Sequence, residues 1–247
     1  MDIEQAKKAV AHTAAKSIPN HSTIGLGTGS TIQYAIEELG RRIRDEGLNI
    51  SAITTSFQGE LLAREYGIMT LNSMNVFDLD VAIDGADEVD PNGNLIKGLG
   101  GALTKEKIVA AMAENCIIVV DETKMVTQLG KKTPVPVEVV PDSLTLAEHL
   151  LKDLGGGTKV RLDKGKGGPI VTDLGNLIVD VEFGAIADAK SLEQKINEIP
   201  GVVGNGLFLG MVDEVIIGSV INGQIRVERR SFQRSKAGEK DKDAKFF

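Results

Sequence analysis

Over its first 130 residues the chain alternates short β-rich runs with stretches of helical period. That alternation restricts the fold more than any other feature, because it is the signature of a parallel sheet covered by helices. Thr23 to Leu26 reads as a strand that enters a glycine turn. Ser30 to Asp45 then carries Ile32, Ile36, Leu39 and Ile43 at helical spacing. Ile50 to Thr54 is a second strand, followed by a helix for which Ser56 supplies an N-cap hydroxyl. Leu79 to Ile83 and Cys116 to Val120 are apolar runs of the kind a parallel sheet buries on both faces, and Thr104 to Glu114 between them reads as helix. The layout is Rossmann-like.

From Lys131 the pattern changes. The run VPVEVV, a helix near Thr145 to Leu154, TKVRL, two β-runs around Asp173 to Asn176 and a helix near Ser191 to Glu198 suggest the order β-α-β-β-α-β. This predicts an inserted α+β, ferredoxin-like domain over residues 131–207. The segment Glu214 to Val227, with an Asn222-Gly223 hairpin signal, returns the chain to the first domain, which then comprises 1–130 and 208–228. Residues 229–247 hold seven Lys or Arg against three acids, and a disordered tail is expected there. GKGGP at 165–169 reads as a loop rather than a ligand site.

Composition narrows the function. With 42% hydrophobic residues in 247, the chain has enough apolar material for a core without metal or disulfide staples. Its lone cysteine, Cys116, lies in CIIVV and reads as a buried strand residue, which fits a reducing cytoplasm. The opening segment is an amphipathic helix without the apolar core of a signal peptide, and no run is long enough to span a membrane. A net charge of −7 argues against general nucleic-acid binding, so an anionic ligand must be held by local positive groups.

Three segments are expected at strand ends, where open α/β sheets bind ligands. Gly25 to Thr31 (GLGTGST) is a strand-to-helix turn able to cradle a phosphate with N–H groups and the hydroxyls of Thr28, Ser30 and Thr31. It lacks the third glycine of a dinucleotide fingerprint and the lysine of a P-loop, and a tight structural turn accounts for it about as well. Asp84 to Asp90 (DGADEVD) gathers four carboxylates. An EF-hand reading fails because Leu95 stands where the loop needs glycine, whereas Asp84 and Asp87 suit the hydroxyls of a sugar. Lys97 to Lys107 (KGLGGALTKEK) is a second glycine-rich approach to a helix, and Glu106 in the first helical turn has an ordinary reading as a dipole-complementing acid. Lys124, in DETK after the CIIVV strand, has a plain reading as surface charge.

Taken together, GLGTGST, DGADEVD, KGLGGALTKEK and DETK resemble, in order and approximate spacing, the active-site segments of the type A ribose-5-phosphate isomerases. The resemblance covers roughly residues 1–228. It implies a sugar-phosphate site built from Thr28, Gly29, Ser30, Thr31, Asp84, Gly85, Ala86, Asp87, Lys97, Gly98, Leu99, Gly100 and Lys124, with Lys7 on the first helix near the phosphate. Glu106 would be the base, Lys97 its electrostatic partner, and Asp84 an aid to ring opening. No metal or organic cofactor is implied, and the partners are a small sugar phosphate and further copies of the chain, as dimer or tetramer. Leu99 departs from the glycine or alanine common in the family's loop. Two other readings of such a fold are a non-catalytic sugar-phosphate sensor and an acyl-CoA transferase with a glutamate nucleophile. The first would need a DNA-binding module, and the short basic tail has no helix-turn-helix pattern.

Overall fold

The structure is a computed structural model and describes residues 3–163, 165 and 167–234. Among the described residues six α-helices follow one another as α1 (Ile3–Lys16), α2 (Ser30–Glu46), α3 (Phe57–Glu65), α4 (Leu103–Met112), α5 (Leu144–Asp153) and α6 (Ala189–Asn197). The first strands are β1 (Ser22–Leu26), β2 (Ile50–Thr54), β3 (Met69–Thr70), β4 (Leu79–Asp84), β5 (Glu88–Val89), β6 (Leu95–Ile96) and β7 (Ala113–Asp121). The rest are β8 (Val135–Val139), β9 (Gly157–Val160), β10 (Leu177–Glu182), β11 (Val202–Asn205), β12 (Leu207–Phe208), β13 (Glu214–Ile221) and β14 (Gln224–Ser231).

Seven strands form the main sheet in the order β14-β13-β7-β4-β1-β2-β3, parallel except for the β13–β14 hairpin. Its central runs are apolar throughout because both faces are covered. On β7, Ile117 and Val119 pack with Ile24, Ile83 and the α1 and α2 residues Val10 and Ile36, while the alternate residues Cys116, Ile118 and Val120 enter a core with Phe208 and Val215. Burial pushes the Cys116 thiol up to about 12, which leaves it an inert apolar side chain.

The second sheet has the order β11-β8-β10-β9, all antiparallel, with α5 and α6 supplying Ala147, Leu151 and Ile196 to its core. Numbered within this unit, the strand order is 4-1-3-2, the ferredoxin-like arrangement that the β-α-β-β-α-β pattern predicts. The β-runs flanking 173–176 are Val171, bridged to Leu177, and β10 itself. A third sheet of two-residue strands, β12-β6-β5, carries no signal in the sequence and connects the other two.

One expectation is corrected. Strand β14 continues through Ser231, so Arg229, Arg230 and Ser231 belong to the main sheet and not to a tail. They pair with Ile216, Val215 and Glu214 of β13. A ladder is made by backbone groups, so an exposed edge strand accepts charged residues that no apolar pattern announces. The hairpin turn is the expected one, with Asn222 at φ 52° and Gly223 at φ 75°. Phe232 and Arg234 are held too, the Phe232 N–H donating to Asp213 O and Arg234 to the carbonyls of Ala110 and Ala113. The rest of the expected tail, 235–247, lies outside the described residues, as do Lys164 and Lys166 of the GKGGP loop region.

Candidate active site

The chain leaves β1 through Gly27, where a Cβ would stand 1.9 Å from Asp84 Oδ1, so only glycine lets the β4 carboxylate pack against this turn. Gly29 follows at φ 123°, a conformation that L side chains rarely adopt, and α2 begins at Ser30. The first N–H groups of a helix have no intrahelical acceptor and carry the positive end of its dipole. Thr28 Oγ1 shares a hydrogen bond of 2.8 Å with Thr55 Oγ1 and donates to Ser56 Oγ at 2.7 Å. Ser56 in turn caps α3, its Oγ accepting from the Gly59 N–H. Two lysines approach this turn. Lys7 comes from α1, where its Nζ is 2.7 Å from Glu4 Oε1, and Lys124 comes from the 3₁₀ turn after β7. Asp121 shapes that turn, its Oδ1 accepting from both the N–H and the hydroxyl of Thr123.

Beside the turn lie three charged residues, each at most 5% exposed: Asp84 at the end of β4, Lys97 just after β6 and Glu106 in the first turn of α4. Lys97 Nζ donates to the Gly85 carbonyl at 2.6 Å and lies 3.0 Å from Asp84 Oδ2 and 3.4 Å from Glu106 Oε2. Asp84 Oδ1 also accepts from the Gly85 N–H at 2.7 Å. Glu106 Oε2 is buried with no hydrogen-bond donor in bonding geometry, so the nearby ammonium is its main electrostatic support. Burial pushes the Glu106 carboxyl up to about 8; Lys97 opposes the rise, and Asp84 and Asp87 add to it. Burial also raises Asp84, against the pull of Lys97. For Lys97 burial works against the charge, but Asp84 and Glu106 outweigh it and hold the ammonium above the ordinary lysine range.

The loop from Lys97 to Gly101 spans the gap between that lysine and α4. Lys97 N–H donates to Gly206 O at 2.9 Å, and Leu99 N–H donates to Asp87 Oδ2 at 3.0 Å. Gly98 and Gly101 sit at φ 101° and 81°.

These elements enclose a cleft of about 160 Å³. Of the residues singled out from sequence, Lys7, Thr28, Gly29, Ser30, Thr31, Gly85, Ala86, Asp87, Lys97, Gly98, Gly100, Glu106 and Lys124 line it. Asp84 does not; it stands behind Lys97 and borders a smaller apolar cavity with Phe208 and Met211. Leu99 does not line the cleft either: its N–H is taken by Asp87 and the residue is 42% exposed. The cleft wall also includes Ile32, Val119, Val120 and Asp121, which the sequence reading left out. Their signal was available in part, since β7 ends where a ligand-binding strand should. Among the described residues no group of three His, Cys, Asp or Glu side chains is arranged to hold a metal ion. One wall thus offers N–H groups, hydroxyls and lysines to an anion, while the other offers a buried base beside a buried cation.

A family model for ribose 5-phosphate isomerase A (phosphoriboisomerase A) matches residues 51–221. The chain is 48% identical over 226 residues to ribose-5-phosphate isomerase A of Thermosynechococcus vestitus, covering 91% of this chain and 96% of that one. It is 49% identical over 213 residues to the protein of the same name from Methanothermobacter thermautotrophicus, covering 86% and 93%. The structure is similar to that of ribose 5-phosphate isomerase A from Methanocaldococcus jannaschii, with TM-score 0.86 and 43% identity over 93% of this chain and all of that one. It is also similar to a D-ribose-5-phosphate isomerase in complex with phospho-erythronic acid, with TM-score 0.88, 42% identity and the same coverage.

Proposed function

The chain belongs to the ribose 5-phosphate isomerase A family and is an aldose-ketose isomerase interconverting ribose 5-phosphate and ribulose 5-phosphate; from that premise we propose that Glu106 moves the proton and Lys97 stabilises the charge. The observation that carries this reading is the placement of a buried, poorly solvated Glu106 carboxyl 3.4 Å from the Lys97 ammonium at the edge of the cleft.

Isomerisation removes a proton from C2 of the open-chain aldose and returns it to C1 through a cis-enediolate. A single carboxylate on one face of that intermediate serves both transfers, and a base raised towards neutral pH is matched to the task. As Glu106 takes the proton, negative charge develops on the sugar oxygens, and the fixed, water-shielded ammonium of Lys97 offsets it. Asp84 lies outside the cleft and holds Lys97 at 3.0 Å, so the part we assign it in ring opening, in which the anomeric hydroxyl loses a proton and the ring oxygen gains one, is to position that lysine. Asp87 orients hydroxyls and fixes the Leu99 N–H. The phosphate binds at the start of α2, between Lys7 and Lys124, so that binding energy remote from C1 and C2 places the reacting carbons. The same reading sets the enzyme in the non-oxidative pentose phosphate pathway of the cytoplasm, as a homo-oligomer whose size light scattering would report.

Proton NMR of ribose 5-phosphate in D₂O with EDTA-treated protein tests the assignment. The expected result is ketose formation with deuterium incorporation by the wild type and neither by Glu106→Gln. Unchanged turnover in Glu106→Gln removes the base assignment.

A further inference from the structure

We propose that Arg161 and Asp180, both from the antiparallel sheet, are a positioning pair that holds the Lys97–Gly101 loop in its working shape. The inference rests on the roles given above to Lys97 and Glu106, the two groups this loop separates.

Arg161 directly follows β9, and its own backbone is pinned: its N–H donates to Ile178 O at 2.8 Å and its carbonyl accepts from the Ile170 N–H at 2.9 Å. Its Nε donates to Asp180 Oδ2 on β10 at 2.9 Å, and its Nη2 donates to Asp180 Oδ1. The remaining nitrogen, Nη1, reaches out of the sheet and donates to two loop carbonyls, Gly98 O at 2.8 Å and Leu99 O at 3.0 Å. On the other side of the same stretch, Asp87 accepts the Leu99 N–H. The loop is therefore gripped from both sides, and the gripping side chains are mostly buried, at 11% exposure for Arg161 and 19% for Asp180. Neither lines the cleft.

The loop needs such a device. Glycines at positive φ permit the turn that brings Lys97 towards Glu106, yet they permit many other shapes as well. A planar guanidinium can engage a carboxylate with one edge and two carbonyls with another nitrogen; a lysine ammonium cannot span both. If the grip is lost, the ammonium and the carboxylate drift in relation to the bound sugar, and a displacement of about 1 Å is enough to cost roughly 100-fold in rate. The phosphate cradle at the start of α2 is built from other residues and should not notice.

The test compares wild type, Arg161→Ala, Arg161→Lys and Asp180→Asn in kcat and KM for ribose 5-phosphate, inhibition by inorganic phosphate, and thermal midpoint. For Arg161→Ala the expectation is a loss of about tenfold or more in kcat with the phosphate inhibition constant within about twofold of wild type, and partial recovery of kcat on adding guanidinium ion. Arg161→Lys should fall nearly as far, and Asp180→Asn less. A folded Arg161→Ala enzyme with wild-type kcat overturns the proposal. So does a parallel loss of kcat and phosphate binding, which would make the pair a general support of the fold. Should Arg161→Ala not fold, Asp180→Asn, which preserves shape and leaves the guanidinium in place, decides on the same readouts. A wild-type protein unable to isomerise ribose 5-phosphate would sink the functional reading instead, a result distinct from active wild type with unaffected variants.

Discussion

The two glycine-rich turns, at residues 25–31 and 97–103, each deliver the chain into the first turn of a helix, yet they do opposite things with electrostatics. The first is open to the cleft and presents uncharged donors, with Ser30 and Gly29 exposed and the cations brought in from α1 and from the turn after β7. The second encloses a lysine and a glutamate that are almost completely buried. An exposed turn binds an anion through donors that do not themselves titrate. A buried pair has its protonation set by its surroundings. On the proposed roles, binding and proton transfer fall to separate turns, and that division is open to test.

The sharpest way to break that division is Glu106→Gln. General-base catalysis supplies about 10²–10⁴-fold, so kcat should fall by that order, with little change in inhibition by inorganic phosphate. Lys97→Met should cost kcat about 10²–10³-fold, as removal of an oxyanion donor does. It should also lower the thermal midpoint, because breaking a buried ion network from one side leaves Asp84 and Glu106 without their cation, whereas Glu106→Gln should not. The pH profile comes next. In the proposed role Glu106 acts as a carboxylate, and burial raises its pKa to about 8, so kcat/KM should climb with pH below that value and level off above it. A limb near the ordinary glutamate range would show that the site is wetter than its geometry indicates. On the other turn, Lys124→Met should raise KM for ribose 5-phosphate by about tenfold and change kcat much less. An equal loss in kcat would mean that the two turns are not independent. Smallest of all, Leu99→Gly should alter either constant by less than about twofold, since the exposed side chain contributes little and the backbone bonds persist.

What could be read from the sequence follows the same physics. The parallel strands were legible because burial on both faces demands uninterrupted apolar runs such as CIIVV, and the ferredoxin-like order because its elements are long enough to show a period. Strands β5, β6 and β12 have two residues each and no period to show, and β14 is exposed along nearly its whole length. At the site, Gly27 and Asp84 were conspicuous separately, one in a glycine-rich turn and the other among carboxylates after a strand; that the carboxylate occupies the space a side chain at 27 would take is visible only in the structure. Arg161 was invisible. In TKVRL it is one polar residue at the end of a β-run, and its partners lie on β10 and on a loop 62 to 63 residues earlier in the chain. Asp121 stood inside a noticed motif, but its work is to shape the turn that carries Lys124, which spacing alone does not reveal.

The way the Lys97–Gly101 loop is held also bears on how the molecule comes into being. One anchor, the carboxylate of Asp87, is near in the chain, but the carbonyl of Gly206 and the guanidinium of Arg161 come from distant stretches of it. Contacts between distant positions carry the largest loop-closure cost and form late. A refolding chain will therefore regain helix and sheet signals before it regains turnover, and catalytic competence marks the moment when both halves have found each other.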